Sequence, residues 1–295
     1  MATPHGKLVQ INDRNMHIRQ MGLGEKTIVL LPGWGVPLPT VEFAPLMREL
    51  SKKYTVCTIE FFGYGYSDGT DTPRTNENYV EEIREALTLA GLKPPYVLMP
   101  YSCSGIYSEY YTAKYPEEIE GLILLDCTPT TQNYAQVLDI AKNDLDEMES
   151  LSKSPELSEA EYEEAIEADI AEYTEHGYTI EEIREIVETI GTLYHMDTQI
   201  AQFAALPKNI LEVMTMQIPK EIPILVLLYD LRVQLDDDEL DEHEKYLKGH
   251  MDRLGEHAKC IIIRGSTHAD IYYHRNYRKI ISKEIDEFLG AVYVQ

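Results

Sequence analysis

The chain has 295 residues, 44% hydrophobic and 26% charged, which suits one large α/β domain with an inserted subdomain. Its 26 basic and 51 acidic residues give a formal net charge of −25, which argues against nucleic acid or an anionic membrane as a partner. The first residues contain no apolar signal segment, and no stretch is apolar and long enough to span a bilayer, so we expect a cytoplasmic protein.

Short runs of β-branched and aliphatic residues recur between helix-like stretches. They lie at 27–32, 54–60, 96–100, 121–126, 222–229 and 260–265. This alternation predicts a mostly parallel sheet covered by helices, with the chemistry just beyond the carboxyl ends of the strands. Upstream, Asn12-Asp13 separates two alternating segments, which predicts an antiparallel hairpin leading into the sheet.

The second run is followed by a glycine pair that superficially suggests a nucleotide site. Gly63-Tyr-Gly65 lacks the third glycine and the later acidic residue of a dinucleotide-binding motif. The sequence also shows no cluster of metal ligands and no phosphate loop. We therefore expect neither a cofactor nor a metal.

The segment 97–108, VLMPYSCSGIYS, reads as a strand, a very tight turn and a helix. Such a turn strains the backbone of its central residue and requires small residues two positions before and after it. Ser102 has Pro100 and Ser104 there, whereas Cys103 and Ser104 would each have one bulky or branched residue at that spacing. Ser102 is therefore the predicted nucleophile, and the backbone N–H of Cys103, at the start of the helix, is a natural oxyanion donor.

Residues 128–218 contain amphipathic helical patterns and no strand-like run. The segment has 20 acidic and 4 basic residues, a net charge of −16, which is typical of solvated helical faces. It also carries apolar residues that need a surface to cover: Ile190, Leu193, Tyr194, Phe203, Leu206, Ile210, Met214 and Met216. We predict an acidic helical cap subdomain here, over a core formed by 1–127 and 219–295. Thr179 and Glu182 predict a capping box at the start of one of its helices.

The four cysteines are scattered without C-x-x-C spacing: Cys57, Cys103, Cys127 and Cys260. Three of them lie in or beside apolar, strand-like runs. This placement favours buried free thiols over disulfides or a metal site and agrees with a reducing compartment.

Taken together, five segments resemble the α/β-hydrolase superfamily in order and spacing: LLPGWGVP, IEFFGYGYSD, YVLMPYSCSG, LILLDCTP and IIIRGSTH. The resemblance covers most of the chain outside 128–218 and implies an α/β-hydrolase fold with triad chemistry. By the same resemblance, PGWG takes the place of the family's oxyanion loop. The backbone N–H of Trp34 would then be the second oxyanion donor beside that of Cys103.

Four residues depart from the usual family pattern. Pro32 replaces a common histidine, Pro100 and Ser104 replace the two elbow glycines, and Tyr101 replaces a residue that is often histidine. These departures indicate a divergent bacterial branch with a Ser-x-Ser-Gly nucleophile elbow.

A serine nucleophile needs an imidazole as its base and a carboxylate to orient that imidazole. His268 follows the last strand-like run, where the superfamily places its base, and we prefer it to His274, which lies further on. The other histidines mostly lie in polar or cap segments, where we expect solvated or capping roles: His5, His17, His176, His195, His243, His250 and His257.

The acid has two candidates. Most family members place it about three residues after the strand at 222–229, but that position holds Arg232, and Asp230 stands slightly out of register. Asp126 closes the strand next to that of the nucleophile, where a minority of the superfamily places its acid. We favour Asp126 and keep Asp230 as the alternative, while the acidic run 235–244 reads as solvated surface.

These features favour a serine hydrolase of a small ester, thioester or lactone, which acts on a small-molecule acyl substrate through an acyl-enzyme. A proline iminopeptidase-like peptidase is an alternative. Dehalogenase and epoxide hydrolase activities are disfavoured, because those enzymes use aspartate where this chain has Ser102. A non-catalytic ligand-binding protein on the same fold is the alternative from a different class.

Overall fold

The computed structural model describes residues 2–3, 5–141, 158–192 and 196–291. Within them, nine strands form one sheet. They are β1 Ala2–Thr3, β2 Gly6–Ile11, β3 Arg14–Met21, β4 Thr27–Leu31, β5 Thr55–Glu60, β6 Tyr96–Pro100, β7 Ile119–Leu125, β8 Ile224–Tyr229 and β9 Ala258–Ile263. Their order across the sheet is β1-β2-β3-β5-β4-β6-β7-β8-β9.

The described α-helices lie between and after these strands. They are α1 Pro39–Glu42, α2 Ala44–Leu50, α3 Asn76–Ala90, α4 Ser104–Lys114, α5 Gln132–Ala141, α6 Glu159–Glu175, α7 Ile180–Thr192, α8 Met196–Val213, α9 Asp237–Leu254 and α10 Arg275–Ala291. Short 3-10 helices cover Pro116–Glu118 and Leu231–Val233.

All six predicted runs form strands, and β4 to β9 are parallel to one another. The predicted hairpin is also confirmed: β2 and β3 pair in antiparallel fashion around Asn12, whose φ of 55° lies in the left-handed region that asparagine tolerates. Its second strand pairs with β5, also in antiparallel fashion. The α/β-hydrolase fold predicted from the sequence is confirmed.

The sheet separates two apolar layers. Successive residues of β4 point to opposite sides, so Ile28 and Leu30 pack in the layer that contains α2 and α10, while Val29 and Leu31 pack in the layer of α3 and α4. Every residue of β4 is buried, as expected for a parallel strand covered by helices on both faces. Because β4 to β9 are parallel, the loops that follow their carboxyl ends lie along one edge of the sheet.

Helices α5 to α8 are inserted between β7 and β8. Helix α8 packs against α4 and α5, and α7 packs against α1. The capping box of α7 is confirmed, because Glu182 N–H donates to Thr179 Oγ1 at 3.1 Å and Thr179 N–H donates to Glu182 Oε2 at 3.0 Å. The division into a core and a cap subdomain at 128–218 stays a prediction.

Of the apolar cap residues, Leu206 and Ile210 are buried in the core cluster, and Phe203, Met214 and Met216 pack against it. Leu193 and Tyr194, together with the side chain of Ile190, lie outside the part that the structure describes. The inserted helices therefore cover part of the core.

Two adjacent isoleucines of α10 provide a test of the packing. Ile281 is fully buried, whereas Ile280 is 42% exposed. We expect Ile281→Ala to lower the free energy of unfolding by about 2–5 kcal/mol, because it removes buried methyl groups and leaves a cavity. Ile280→Ala should change it by about 0.5 kcal/mol or less. Denaturant titration of both variants measures this difference, and equal losses would contradict the packing described for α10.

Candidate active site

Ser102 occupies a strained turn between β6 and α4. Its φ is +55°, in the left-handed region that a residue with a side chain seldom adopts. The turn is closed by two hydrogen bonds to the Ser102 carbonyl, from the N–H groups of Gly105 and Thr128, each at 3.1 Å. A Cβ atom at Gly33 would lie 2.8 Å from Ser102 Cβ, so the glycine allows the preceding loop to pass directly beside this serine.

The two neighbouring candidates face elsewhere. The Ser104 hydroxyl is fully buried and donates to the Pro32 carbonyl. The Cys103 thiol is also buried and accepts a hydrogen bond from Gln202 Nε2 at 3.6 Å, and burial raises the pKa of this thiol to about 12. At neutral pH the sulfur is protonated, so Cys103 lacks the thiolate that a cysteine nucleophile requires.

His268 and Asp126 meet through His268 Nδ1 and Asp126 Oδ2. Asp126 also has a positive φ, 46°, and its Oδ1 accepts the N–H of Tyr229 at 3.3 Å. The carboxylate is thereby fixed from both oxygens. An imidazole bonded through Nδ1 presents Nε2 on the opposite side of its ring, which is the nitrogen that acts as base in a serine triad.

Tyr101 packs against one face of the His268 ring. The two rings stack with centroids 4.9 Å apart and an interplanar angle of 21°, and the Tyr101 hydroxyl donates to the His268 carbonyl at 2.9 Å. The residue before Ser102 thus supports the loop that carries His268. The sequence identified Tyr101 only as a departure from the family pattern.

Asp230 belongs to a different set of contacts. Its Oδ1 lies 3.4 Å from Arg264 Nη1, and its Oδ2 accepts the N–H of Gly265 at 3.2 Å. These contacts brace the turn that follows β9. In this structure, Asp126 and not Asp230 reaches His268. The other histidine considered, His274, accepts the N–H of Asn276 at the start of α10.

The loop that carries Trp34 lies beside the turn at Ser102, as the close approach of Gly33 to Ser102 shows. Burial raises the pKa of the Cys103 thiol, and the backbone N–H groups of Trp34 and Cys103 act on it in the opposite direction. Helix α8 supports this arrangement, because Trp34 Nε1 donates to the Gln199 carbonyl at 3.1 Å and the Trp34 ring lies 5.0 Å from that of Phe203. The loop and the elbow therefore lie side by side, and the roles of the Trp34 and Cys103 N–H groups as oxyanion donors stay a prediction.

Ser102, Asp126 and His268 line one cavity of about 200 Å³. Its other lining residues combine aromatic and aliphatic side chains with polar ones: Cys127, Thr128, Pro129, Tyr134, Tyr229, Leu231 and Leu247. His243 of α9 also lines it, and burial lowers the pKa of this imidazole, so it is neutral at pH 7. Among the described residues that line the cavity there is no lysine or arginine.

Comparison with known proteins agrees with this architecture. A profile of the alpha/beta hydrolase fold family matches residues 26–153. Among solved structures, E-2-(acetamidomethylene)succinate hydrolase superimposes with a TM-score of 0.66 over 96% of this chain and 98% of that chain, at 18% identity. The chain therefore has the α/β-hydrolase fold, and its residues 26–153 match the profile of that family.

Curated relatives match a shorter stretch of this chain. The uncharacterized protein YbdG of Bacillus subtilis (strain 168) is 37% identical over 121 residues, which are 41% of this chain and 37% of that protein. The pimeloyl-[acyl-carrier protein] methyl ester esterase of Xylella fastidiosa (strain M12) is 32% identical over 114 residues, which are 39% of this chain and 41% of that protein. The chain thus spans about two fifths of the length of these relatives.

Several histidines of this chain are not the solvated or capping residues that we expected. His17 is buried with its Nδ1 3.1 Å from Glu60 Oε2, and His250 is buried with its Nε2 2.7 Å from Glu109 Oε1. His176 is also buried, and His195 lies outside the described residues. The expectation was wrong because it considered only sequence neighbours, whereas strand pairing and helix packing bring in distant carboxylates.

The described part of this chain includes no helix that is long and apolar enough to cross a membrane. It also includes no group of three or more histidine, cysteine, aspartate or glutamate side chains placed to hold a metal ion.

All four cysteines are free, and three of them are buried as expected. Cys260, for which we also expected burial, is instead exposed on β9.

The cysteine environments predict selective thiol reactivity. In the native protein, a disulfide reagent such as DTNB should react rapidly with the exposed Cys260 and slowly with the three buried thiols. Absorbance stopped-flow measures the rapid phase, which Cys260→Ser should remove and Cys103→Ala should leave intact. A rapid phase that depends on Cys103 would contradict the burial of that thiol.

Proposed function

We propose that this protein is a serine hydrolase that cleaves a small ester, thioester or lactone through an acyl-enzyme, with Ser102, His268 and Asp126 as its triad. The observation that carries the proposal is the contact of His268 Nδ1 with Asp126 Oδ2 in a cavity that Ser102 also lines. The esterase and hydrolase names of its relatives support the same class of reaction.

In the first half of the reaction, Ser102 Oγ attacks the substrate carbonyl carbon while His268 Nε2 takes the hydroxyl proton. Asp126 stabilises the imidazolium that forms. The carbonyl oxygen becomes an oxyanion, and the N–H groups of Trp34 and Cys103 donate to it. When the tetrahedral intermediate collapses, His268 returns its proton to the leaving alcohol, thiol or ring oxygen.

In the second half, water attacks the acyl-Ser102 ester. His268 takes a proton from this water and delivers it to Ser102 Oγ as the acid product leaves. Asp126 keeps its orienting role throughout, because its second oxygen is held by the Tyr229 N–H and cannot rotate away from the imidazole without breaking that bond.

The cavity indicates a small, uncharged acyl group. A volume of about 200 Å³ suits a small acyl group. The lining offers aromatic and aliphatic surface, and its uncharged polar groups include the hydroxyls of Thr128, Tyr134 and Tyr229 and the neutral His243. Without a described cation in the lining, a substrate carboxylate would lose its hydration with no ion pair in return.

The same lining favours an ester over the amino-terminal peptide of an iminopeptidase. A free α-amino group requires a carboxylate partner when it is buried. Asp126 is the carboxylate in the described lining, and both of its oxygens are already engaged by His268 and Tyr229.

We further propose that residues 128–218 act as a cap over this site. Helix α5 contributes Tyr134 to the cavity wall, and α8 holds the oxyanion loop through Gln199 and Phe203. The insertion therefore supplies substrate contacts and also positions a donor.

A fluorophosphonate probe tests the nucleophile, because it reacts covalently only with an activated serine. Ser102→Ala should abolish labelling, and Cys103→Ala should largely retain it because Cys103 contributes a backbone N–H. Mass spectrometry of the labelled peptide gives the readout, and circular dichroism confirms the fold.

Two labelling results would contradict the proposal that Ser102 is the nucleophile. Loss of labelling in Cys103→Ala, with retention in Ser102→Ala, would make Cys103 the nucleophile. An unlabelled wild-type protein would favour the non-catalytic binding protein.

The acid is tested by a matched pair of substitutions. We expect Asp126→Asn to lower kcat by a factor on the order of 10⁴, as loss of the triad carboxylate does in serine proteases, because the imidazolium of His268 loses its counter-charge. Asp230→Asn should change kcat far less, since Asp230 contacts Arg264 and Gly265 instead. Turnover of a short-chain p-nitrophenyl ester measures both. A larger loss for Asp230→Asn would assign the acid to β8.

A further inference from the structure

A second cavity lies where the end of α6 meets the start of α10. Its volume is about 330 Å³. It is lined by Glu175, His176, His274, Arg275, Asn276 and Lys279. In a chain with a net charge of −25, this cavity brings together two permanent cations and two imidazoles against one carboxylate.

The cations of the cavity are not compensated. Among the described residues, no carboxylate forms an ion pair with Arg275 or Lys279, whereas the next lysine of the same helix face, Lys283, pairs with Glu287 at 3.1 Å. Two other acidic groups near the cavity are engaged elsewhere. Glu172 accepts from the Tyr273 hydroxyl at 2.9 Å, and Glu49 accepts from Arg278 Nε at 3.2 Å.

The N-terminus of α10 adds its helix dipole to these charges. This helix has 17 residues and no acidic residue in its first turn, so no carboxylate there offsets the positive end of its dipole. His274 Nδ1 accepts the N–H of Asn276 at 3.3 Å. In the neutral imidazole the proton is then on Nε2, which is left as a donor.

His176 forms the inner wall of the cavity. The residue is only 7% exposed, and its Nδ1 is buried away from the cavity, within the described part of the chain. Its ring lies 4.1 Å from that of His274, centroid to centroid, at the cavity wall. The imidazole that can reach an occupant is therefore that of His274.

The wall that carries His176 is held in place before any ligand binds. Arg278 Nη2 donates to the His176 carbonyl at 2.6 Å, and Arg48 Nη2 donates to the Gly177 carbonyl at 2.7 Å. Arg48 and Arg278 lie in the predicted core, whereas His176 and Gly177 lie in the turn that follows α6. A ligand would therefore enter a preformed site and would lose little affinity to ordering of the protein.

We propose that this cavity binds a phosphate group, either inorganic phosphate or the phosphate of a small monoester. Arg275 and Lys279 supply the charge, while His274 Nε2 supplies a directed donor and the positive end of the α10 dipole adds a favourable field. The bound anion would join the insertion to the core at a place outside the cavity that Ser102 lines.

Isothermal titration calorimetry of the full-length protein with sodium phosphate at pH 7 tests the site, with sodium chloride at equal ionic strength as the blank. We expect saturable binding and a rise in Tm with phosphate concentration. In the double variant Arg275→Gln/Lys279→Gln, the affinity should fall by about tenfold or more. Lys283→Gln, on the same helix, should bind as the wild type does. All these residues are charged and lie on the surface, and the melting curve without phosphate verifies that each variant is folded.

A parallel titration with glycerol phosphate distinguishes the two sources. Tighter binding than inorganic phosphate indicates an organic monoester, and weaker binding indicates the free ion. The proposal is overturned if the wild type shows no saturable heat at millimolar phosphate, if chloride produces the same rise in Tm, or if the double variant binds as tightly as Lys283→Gln.

Discussion

The geometry of the site depends on left-handed backbone at the tips of two neighbouring strands. Ser102 and Asp126 both have positive φ values, a conformation that costs a residue with a side chain about 1–3 kcal/mol and persists only when the surroundings enforce it. The sheet enforces it here. Ser102 N–H donates to the Leu125 carbonyl at 3.3 Å, and Asp126 N–H donates to the Leu227 carbonyl at 2.7 Å. The strand ladder therefore continues into both turns and aims both side chains at the same edge.

Contacts between acidic and basic residues help to hold the inserted helices against the core. The insertion holds 16 of the 25 net negative charges, and basic residues of the core contact it. Arg48 binds Glu182 at 2.6 Å and Arg278 binds the end of α6 through a carbonyl. These contacts orient acidic helices that would otherwise repel one another, while the apolar side chains of α8 supply the larger part of the adhesion through burial.

The sequence was sufficient for features that depend on local chemistry. Runs of β-branched residues marked the six parallel strands, and small flanking residues selected the strained position at Ser102. Asp126 was favoured because it ends a strand. The roles of Tyr101 and His243 could not be predicted, because the first depends on a loop that returns more than 160 residues later and the second on where α9 packs. The buried partners of His17 likewise depend on the pairing of β3 with β5.

The contacts of α8 with the oxyanion loop have a consequence for how such an enzyme could diversify. Gln199, Gln202 and Phe203 are spaced three and four residues apart, so they share one face of the helix, and that face touches Trp34 and Cys103. A substitution on this face would displace a backbone N–H that we propose as an oxyanion donor, whichever substrate is cleaved. Under the proposed function, new specificities would arise more readily on α5 or α9, which contribute Tyr134, His243 and Leu247 to the cavity. Substrate choice and reaction chemistry would then depend on different helices, so that one could evolve while the other is held fixed.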